Sequence, residues 1–355
     1  MRLSDRLHSI AQHFSPHRLT IARELRALKK IDLAALVGKS AGALSQFESG
    51  TTRPDAETVA RLSLALELPA EFFGRPLPNV VRLEDCHFRS LRSARQLERR
   101  RVRARASLVC EVVQYLEQHI AFPAEHVSDI VRKLGHGTSP EDASEYVRAA
   151  WGLGHGPIPN VVRLLESRGI VVSQLPDQSR EVDAFSVWHG GQPLIFLVSK
   201  PSTSRLRMDA AHELGHLVLH ADVSPGDKET EKEAEHFGGA FLMPRHAFAR
   251  EAPRRLNWPH LHELKRRWRV SLAALVRRAY ELGCLSNASY RRAFMYLNKT
   301  GQRKSEPLEP PAEQPSVVAR AISLIAKDRP PSLMATDLGL TEDDLLALVG
   351  NANGE

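Results

Sequence analysis

The run His212-Glu213-Leu214-Gly215-His216 carries the side chains of this chain best suited to chemistry. It lies within residues 208–220, whose apolar and polar pattern predicts one amphipathic helix. Helical residues four apart stand about 40° apart around the axis and about 6 Å along it. Both imidazoles can therefore reach one metal ion. Glu213, one residue after the first histidine, can face a water on that ion rather than the ion itself. Zinc lowers the pKa of such a water to about 7, and a carboxylate beside it can take the proton and later pass it on. The spacing allows metal-assisted hydrolysis; the plain alternative is a surface helix with incidental His and Glu.

A catalytic zinc site needs three protein ligands and one open position. The metzincin pattern would place a histidine ten residues after the first ligand and a glycine at the seventh. Those positions hold Asp222 and Leu219, so that class fits badly. His220 extends the histidine ladder but overshoots a single ion. Downstream, residues 229–244 predict a second helix with several carboxylates. Phe237 and Phe241 repeat every four residues and mark its buried face. Glu233 precedes Phe237 by four and shares that stripe, whereas Glu231 and Glu235 point elsewhere and read as solvated. The periodicity selects Glu233 as third ligand.

H-E-L-G-H, followed by E-x-E-A-x-x-F and L-M-P, resembles the ImmA/IrrE family of regulatory metallopeptidases over residues 155–305. The resemblance implies an α+β, zincin-like domain with a small sheet. It also implies zinc on His212, His216 and Glu233, with Glu213 as catalytic base. It further implies cleavage of a repressor or antitoxin-like partner protein in stress response or transcription control. Glu235 and Gly238 depart from the family's usual asparagine and frequent alanine. The rival class is a non-catalytic transcription regulator whose zincin fold senses a ligand or binds a partner.

The 355 residues exceed one ordinary core, so a multidomain, mainly α protein is expected. Hydrophobic content of 42% and charged content of 26% are those of globular proteins. The net charge of +7 is compatible with a nucleic-acid partner. Three scattered cysteines, Cys86, Cys110 and Cys284, indicate neither a disulfide framework nor a thiolate zinc site. The first residues lack the apolar core of a secretion signal. No segment approaches the roughly 20 apolar residues of a membrane span. A cytoplasmic protein is the expectation.

Residues 17–75 predict five short helices. Leu33 to Gly38, then Ser40 as N-cap and Leu44 to Gly50, form a helix-turn-helix that resembles the Cro/cI-type (XRE) family. Matching that pattern places Lys30, Ala41, Gly42, Ser45 and Gln46 at the DNA side, with Lys39 and Arg53 as phosphate contacts. Gln46 can pair bidentately with adenine, whereas Ala41 and Gly42 offer almost no hydrogen bonding. The alternative uses of such a module are homodimerisation or capture of a protein target.

Residues 76–154 read as a helical connector. It opens at Pro76-Leu77-Pro78 and includes the basic stretch 97–105, which suits either a solvated face or a nucleic-acid contact. A strand at 170–172 and a hairpin at 184–198 over Gly190-Gly191 supply the small sheet. An exposed edge of that sheet could pair with an extended peptide. Residues 306–315, rich in Pro and Glu, read as a flexible linker, and 316–355 as a small appended helical segment.

Overall fold

The computed structural model describes residues 3–76, 96–135, 137–175, 184–198, 202–221, 223, 227–303 and 305–349. Six helices come first: α1 (Leu3–Gln12), α2 (Pro16–Leu25), α3 (Lys30–Val37), α4 (Ala41–Ser49), α5 (Ala56–Leu66) and α6 (Glu71–Gly74). They are followed by α7 (Gln96–Glu117), α8 (Val127–Lys133), α9 (Pro140–Ala150) and α10 (Val161–Ser167). The strands β1 (Val171–Leu175), β2 (Ala184–His189) and β3 (Gln192–Val198) lead into α11 (Thr203–Leu219) and α12 (Lys228–Leu242). Then come α13 (Arg245–Glu251), α14 (Trp258–Trp268), α15 (Leu272–Glu281) and α16 (Asn287–Lys299). The last three are α17 (Val317–Ile325), α18 (Pro331–Leu338) and α19 (Glu342–Val349). No helix among the described residues is long and apolar enough to cross a membrane.

The chain divides into two compact units. The first comprises the described residues of Met1–Leu83, Arg92–Phe122 and Val317–Glu355. Its α2–α6 are the five expected helices. Gly38, at φ +66°, ends α3 in a left-handed turn that glycine adopts without strain. The Ser40 hydroxyl then accepts from the Ala43 amide and starts α4. Leu33, Val37, Leu44 and Phe47 fill the space between these helices.

Helix α7 and the C-terminal helices belong to this same unit, whereas the described residues of 123–154 belong to the second. Arg18 grips Glu111 of α7 through two hydrogen bonds of 2.6 and 2.7 Å. Arg103, from the basic stretch, pairs with the buried Glu24 of α2. Asp344 of α19 binds Arg26, and Asp337 of α18 accepts from Tyr115 of α7 at 2.7 Å. The appended segment is thus part of a packed body. Leu77 and Pro78 of the expected linker, and Cys86, lie outside the described residues. Cys110 and Cys284 are buried free thiols.

The second unit comprises the described residues of Pro123–Ser316. Its sheet has the order β1-β3-β2, with β1 parallel and β2 antiparallel to β3. Ser186 stands opposite Ile195, and Val172 pairs with Ile195 from the other side. Gly190 and Gly191, both at positive φ, close the β2–β3 hairpin. Ile195, Leu197, Leu214, Phe237, Phe241 and Trp268 belong to one hydrophobic core shared by sheet and helices.

Residues 306–315 are not a free linker but a strap fixed by three glutamates. Glu306 accepts from the Leu272 amide at the start of α15, and Glu309 from the Ser204 amide at the start of α11. Glu313 accepts from the Val161 and Val162 amides at the start of α10. Each carboxylate satisfies amides that a helix leaves open at its N-terminus, where negative charge is also favoured. The fully buried Lys265 and Arg207 supply the counter-charges. Composition alone suggested flexibility because none of these partners is a sequence neighbour.

Candidate metal centre

Helix α11 brings His212 and His216 to one side, and both are buried. Their Nε2 atoms lie 3.0 Å apart. The carboxylate that meets them is Glu231, not Glu233. Glu231 Oε2 lies 3.4 Å from His212 Nε2, and Oε1 lies 3.3 Å from His216 Nε2. One ligand atom from each of the three residues fits within 4.8 Å of the others.

Glu233 instead accepts from or faces His220, with Oε2 2.9 Å from Nε2, and its side chain is 44% exposed against 22% for Glu231. The physical reason is which stripe of α12 packs on α11. The expectation took the phenylalanine stripe as the facing one. Phe237 does reach Gly215, but the closest backbone approach is made by small residues: a Cβ on Gly215 would stand 3.1 Å from the Ala234 Cα, and one on Gly238 would stand 3.1 Å from the His212 backbone nitrogen. Glu231, Ala234 and Gly238 recur at i, i+3 and i+7 and form the stripe that touches α11. The sequence carried that signal as a row of small residues, which allow close helix approach. Glu229 is the second residue of α12 and pairs with Lys232 at 2.8 Å. Glu235 pairs with Arg277.

The three donors fit a tetrahedral zinc ion. Bonds of about 2.0–2.1 Å at tetrahedral angles put neighbouring donor atoms about 3.3 Å apart, close to the separations found. Both Glu231 oxygens are buried yet receive no well-directed hydrogen bond, and His212 Nδ1 is likewise without one among the described residues. An acceptor pair left so is costly unless a cation completes it. Burial pulls the Glu231 carboxyl upward, but the two imidazoles outweigh burial and hold it below the usual carboxylate range. It is an anion, as a ligand must be.

Glu213 is buried beside this cluster, and the Ser186 hydroxyl donates to its Oε2 at 2.8 Å. Ser186 sits on β2, a sheet edge packed on α11. Nothing in the sequence singled out Ser186, because the contact depends on strand placement.

In the first unit, Lys39, Ala41, Gly42, Gln46 and Arg53 are exposed, and Ser45 is half-buried. Lys30 is drawn inward, with Nζ 3.3 Å from Ser45 Oγ and 3.2 Å from Glu48. Arg53 donates to the Gln12 carbonyl at 2.7 Å. The outer face of α4 is therefore open mainly through Ala41, Gly42 and Gln46.

Residues 165–280 match the family model described as the IrrE N-terminal-like domain, and residues 19–73 match the helix-turn-helix model. No curated protein matches the chain. The IrrE-like segment spans both helices of the metal cluster and all three strands, whereas the strap lies outside it. The chain thus carries a region similar to an XRE-type helix-turn-helix and one similar to the ImmA/IrrE peptidase domain, a combination that fits a DNA-binding protease or regulator.

Proposed function

We propose that this protein is a zinc metalloendopeptidase joined to a DNA-binding region, and that it controls transcription by cleaving a repressor or antitoxin-like partner. The observation that carries the reading is the convergence of His212, His216 and Glu231 on one point, with a buried carboxylate, Glu213, on the same helix. Zinc at that point would act as a Lewis acid, polarising the scissile carbonyl and acidifying a water. Glu213, buried on the same helix, would serve as general base toward the attacking water and as general acid toward the departing amine. Ser186 orients the Glu213 carboxylate through its hydrogen bond. The β2 edge offers backbone groups along which an extended peptide can lie.

The helix-turn-helix presents Gln46 for a base, and Lys39 and Arg53 for phosphates. Ser45 and Lys30 reach DNA only if their mutual contact opens. A dimer would double this surface on a two-fold operator.

The test is purified protein assayed for zinc and incubated with candidate regulator proteins encoded nearby. Glu213→Gln is expected to keep one zinc per chain while cleavage falls by at least about a hundredfold. Cleavage at the original rate in that variant would refute the assignment of Glu213 as base.

A further inference from the structure

The helix carrying the two histidines ends in a third, His220, which the proposed chemistry does not use. It is buried, at 3% exposure. Its two ring nitrogens face different partners: Nδ1 lies 3.1 Å from His216 Nδ1, and Nε2 lies 2.9 Å from Glu233 Oε2. His216 presents its other nitrogen, Nε2, to His212 and Glu231. One path of short polar contacts therefore runs from Glu233 through His220 and His216 to the point where the ligands converge. We propose that His220 and Glu233 are positioning residues that hold His216 in the tautomer with a bare, metal-seeking Nε2.

The proton order follows from donor and acceptor chemistry. An ionised carboxylate only accepts, so the contact to Glu233 puts hydrogen on His220 Nε2. In the neutral ring that leaves a lone pair on His220 Nδ1. His216 Nδ1 must then be the donor, and its Nε2 keeps the lone pair. The same chain fixes the plane of the His216 ring. Ligating histidines commonly donate their second N–H to a carboxylate or carbonyl, which orients the ring and raises its basicity. Here an imidazole stands between the ligand and the carboxylate, so the charge of Glu233 acts at one remove. This also gives a use for the carboxylate whose side chain lies away from the imidazole pair.

The proposal rests on the zinc reading, and the experiment separates the two. Zinc affinity of the full-length protein is measured by competition with a chromogenic chelator, with the visible spectrum of the cobalt-substituted protein as a second readout. His220→Phe keeps ring volume but removes the acceptor, and is expected to weaken zinc about 10–100-fold and shift the cobalt bands. Asparagine places an oxygen where the imidazole has Nδ1, so His220→Asn should recover most of the loss. Glu233→Ala, at a half-exposed site with little risk to folding, should weaken zinc several-fold, with Glu233→Gln between it and the unaltered protein. Wild-type affinity in both His220→Phe and Glu233→Ala would overturn the relay while leaving the metal site standing. Equal losses in His220→Phe and His220→Asn beside an unaffected Glu233→Ala would reduce His220 to a packing residue. An unaltered protein that binds no zinc would overturn both proposals.

Discussion

Helix α11 is held in two different ways along its length. Its middle, at His212 and Gly215, is set by shape: Gly238 and Ala234 of α12 approach so closely that a methyl group would meet backbone atoms. Its beginning, at Ser204 and Arg207, is set by charge: Glu309 and Glu313 of the strap bind an amide, a hydroxyl and a guanidinium. Shape contacts define distance sharply and are indifferent to pH. Charge contacts tolerate small shifts but depend on protonation and on every partner being present. The ligand geometry of the cluster relies on the first kind, and the anchoring of the helix on the second.

Breaking the charged end should have the largest effect. Arg207 is fully buried against Glu313, so Arg207→Ala strands a buried carboxylate. A loss of about 3–5 kcal/mol in denaturant unfolding is expected. Adding Glu313→Gln, which retains an oxygen for the Val161 and Val162 amides, should return part of it. A loss below about 1 kcal/mol would mean that the strap is not an anchor.

Acid separates the two mechanisms. Burial would raise the Glu309 carboxyl, but Lys265 and Ser204 outweigh it and hold the group below its ordinary value of 4.5. Glu141, which ties α9 to Arg278 of α15 and His236 of α12, is opposed by burial in the same way and still brought down to about 2. Both groups bind their proton less readily in the folded protein. Their stabilisation is complete above the unfolded pKa near 4.5 and is lost as pH falls through the folded values. Unfolding free energy should fall by a few kcal/mol between about pH 5 and pH 2. Glu141→Gln should flatten that slope; an unchanged slope would remove Glu141 from the explanation.

Perturbing the shape contact should cost less stability but more function. Gly238→Val puts its Cβ against the His212 backbone and should destabilise by about 1–3 kcal/mol. By levering Glu231 away from the imidazoles, it should weaken zinc by more than its stability cost suggests. Chelator competition on the folded variant reads this, and unchanged affinity would show that the helix spacing has slack.

The same contrast decides what could be read from the residues alone. His212, Glu213 and His216 are neighbours on one helix, and the Gly190-Gly191 hairpin is local, so both were legible. The identity of the third carboxylate hinged on choosing between two stripes of α12. The phenylalanines point to the stripe of Glu233, while Ala234 and Gly238 mark the stripe that brings Glu231 to the imidazoles. Strap contacts were illegible: Glu313 meets Arg207 across 106 positions and Val161 across 152. Ser186 meets Glu213 only because β2 lies on α11. Partners of that kind are brought together by tertiary packing, which no local pattern records.

In the proposed site His212, His216 and Glu231 hold the metal while Glu233 stands behind His220. Zinc affinity of Glu231→Ala measured beside Glu233→Ala tests it most directly. Glu231→Ala is expected to lose at least about a hundredfold, and Glu233→Ala to keep one zinc per chain with a loss of roughly tenfold or less. The opposite ranking, with zinc abolished in Glu233→Ala and retained in Glu231→Ala, would contradict the arrangement described.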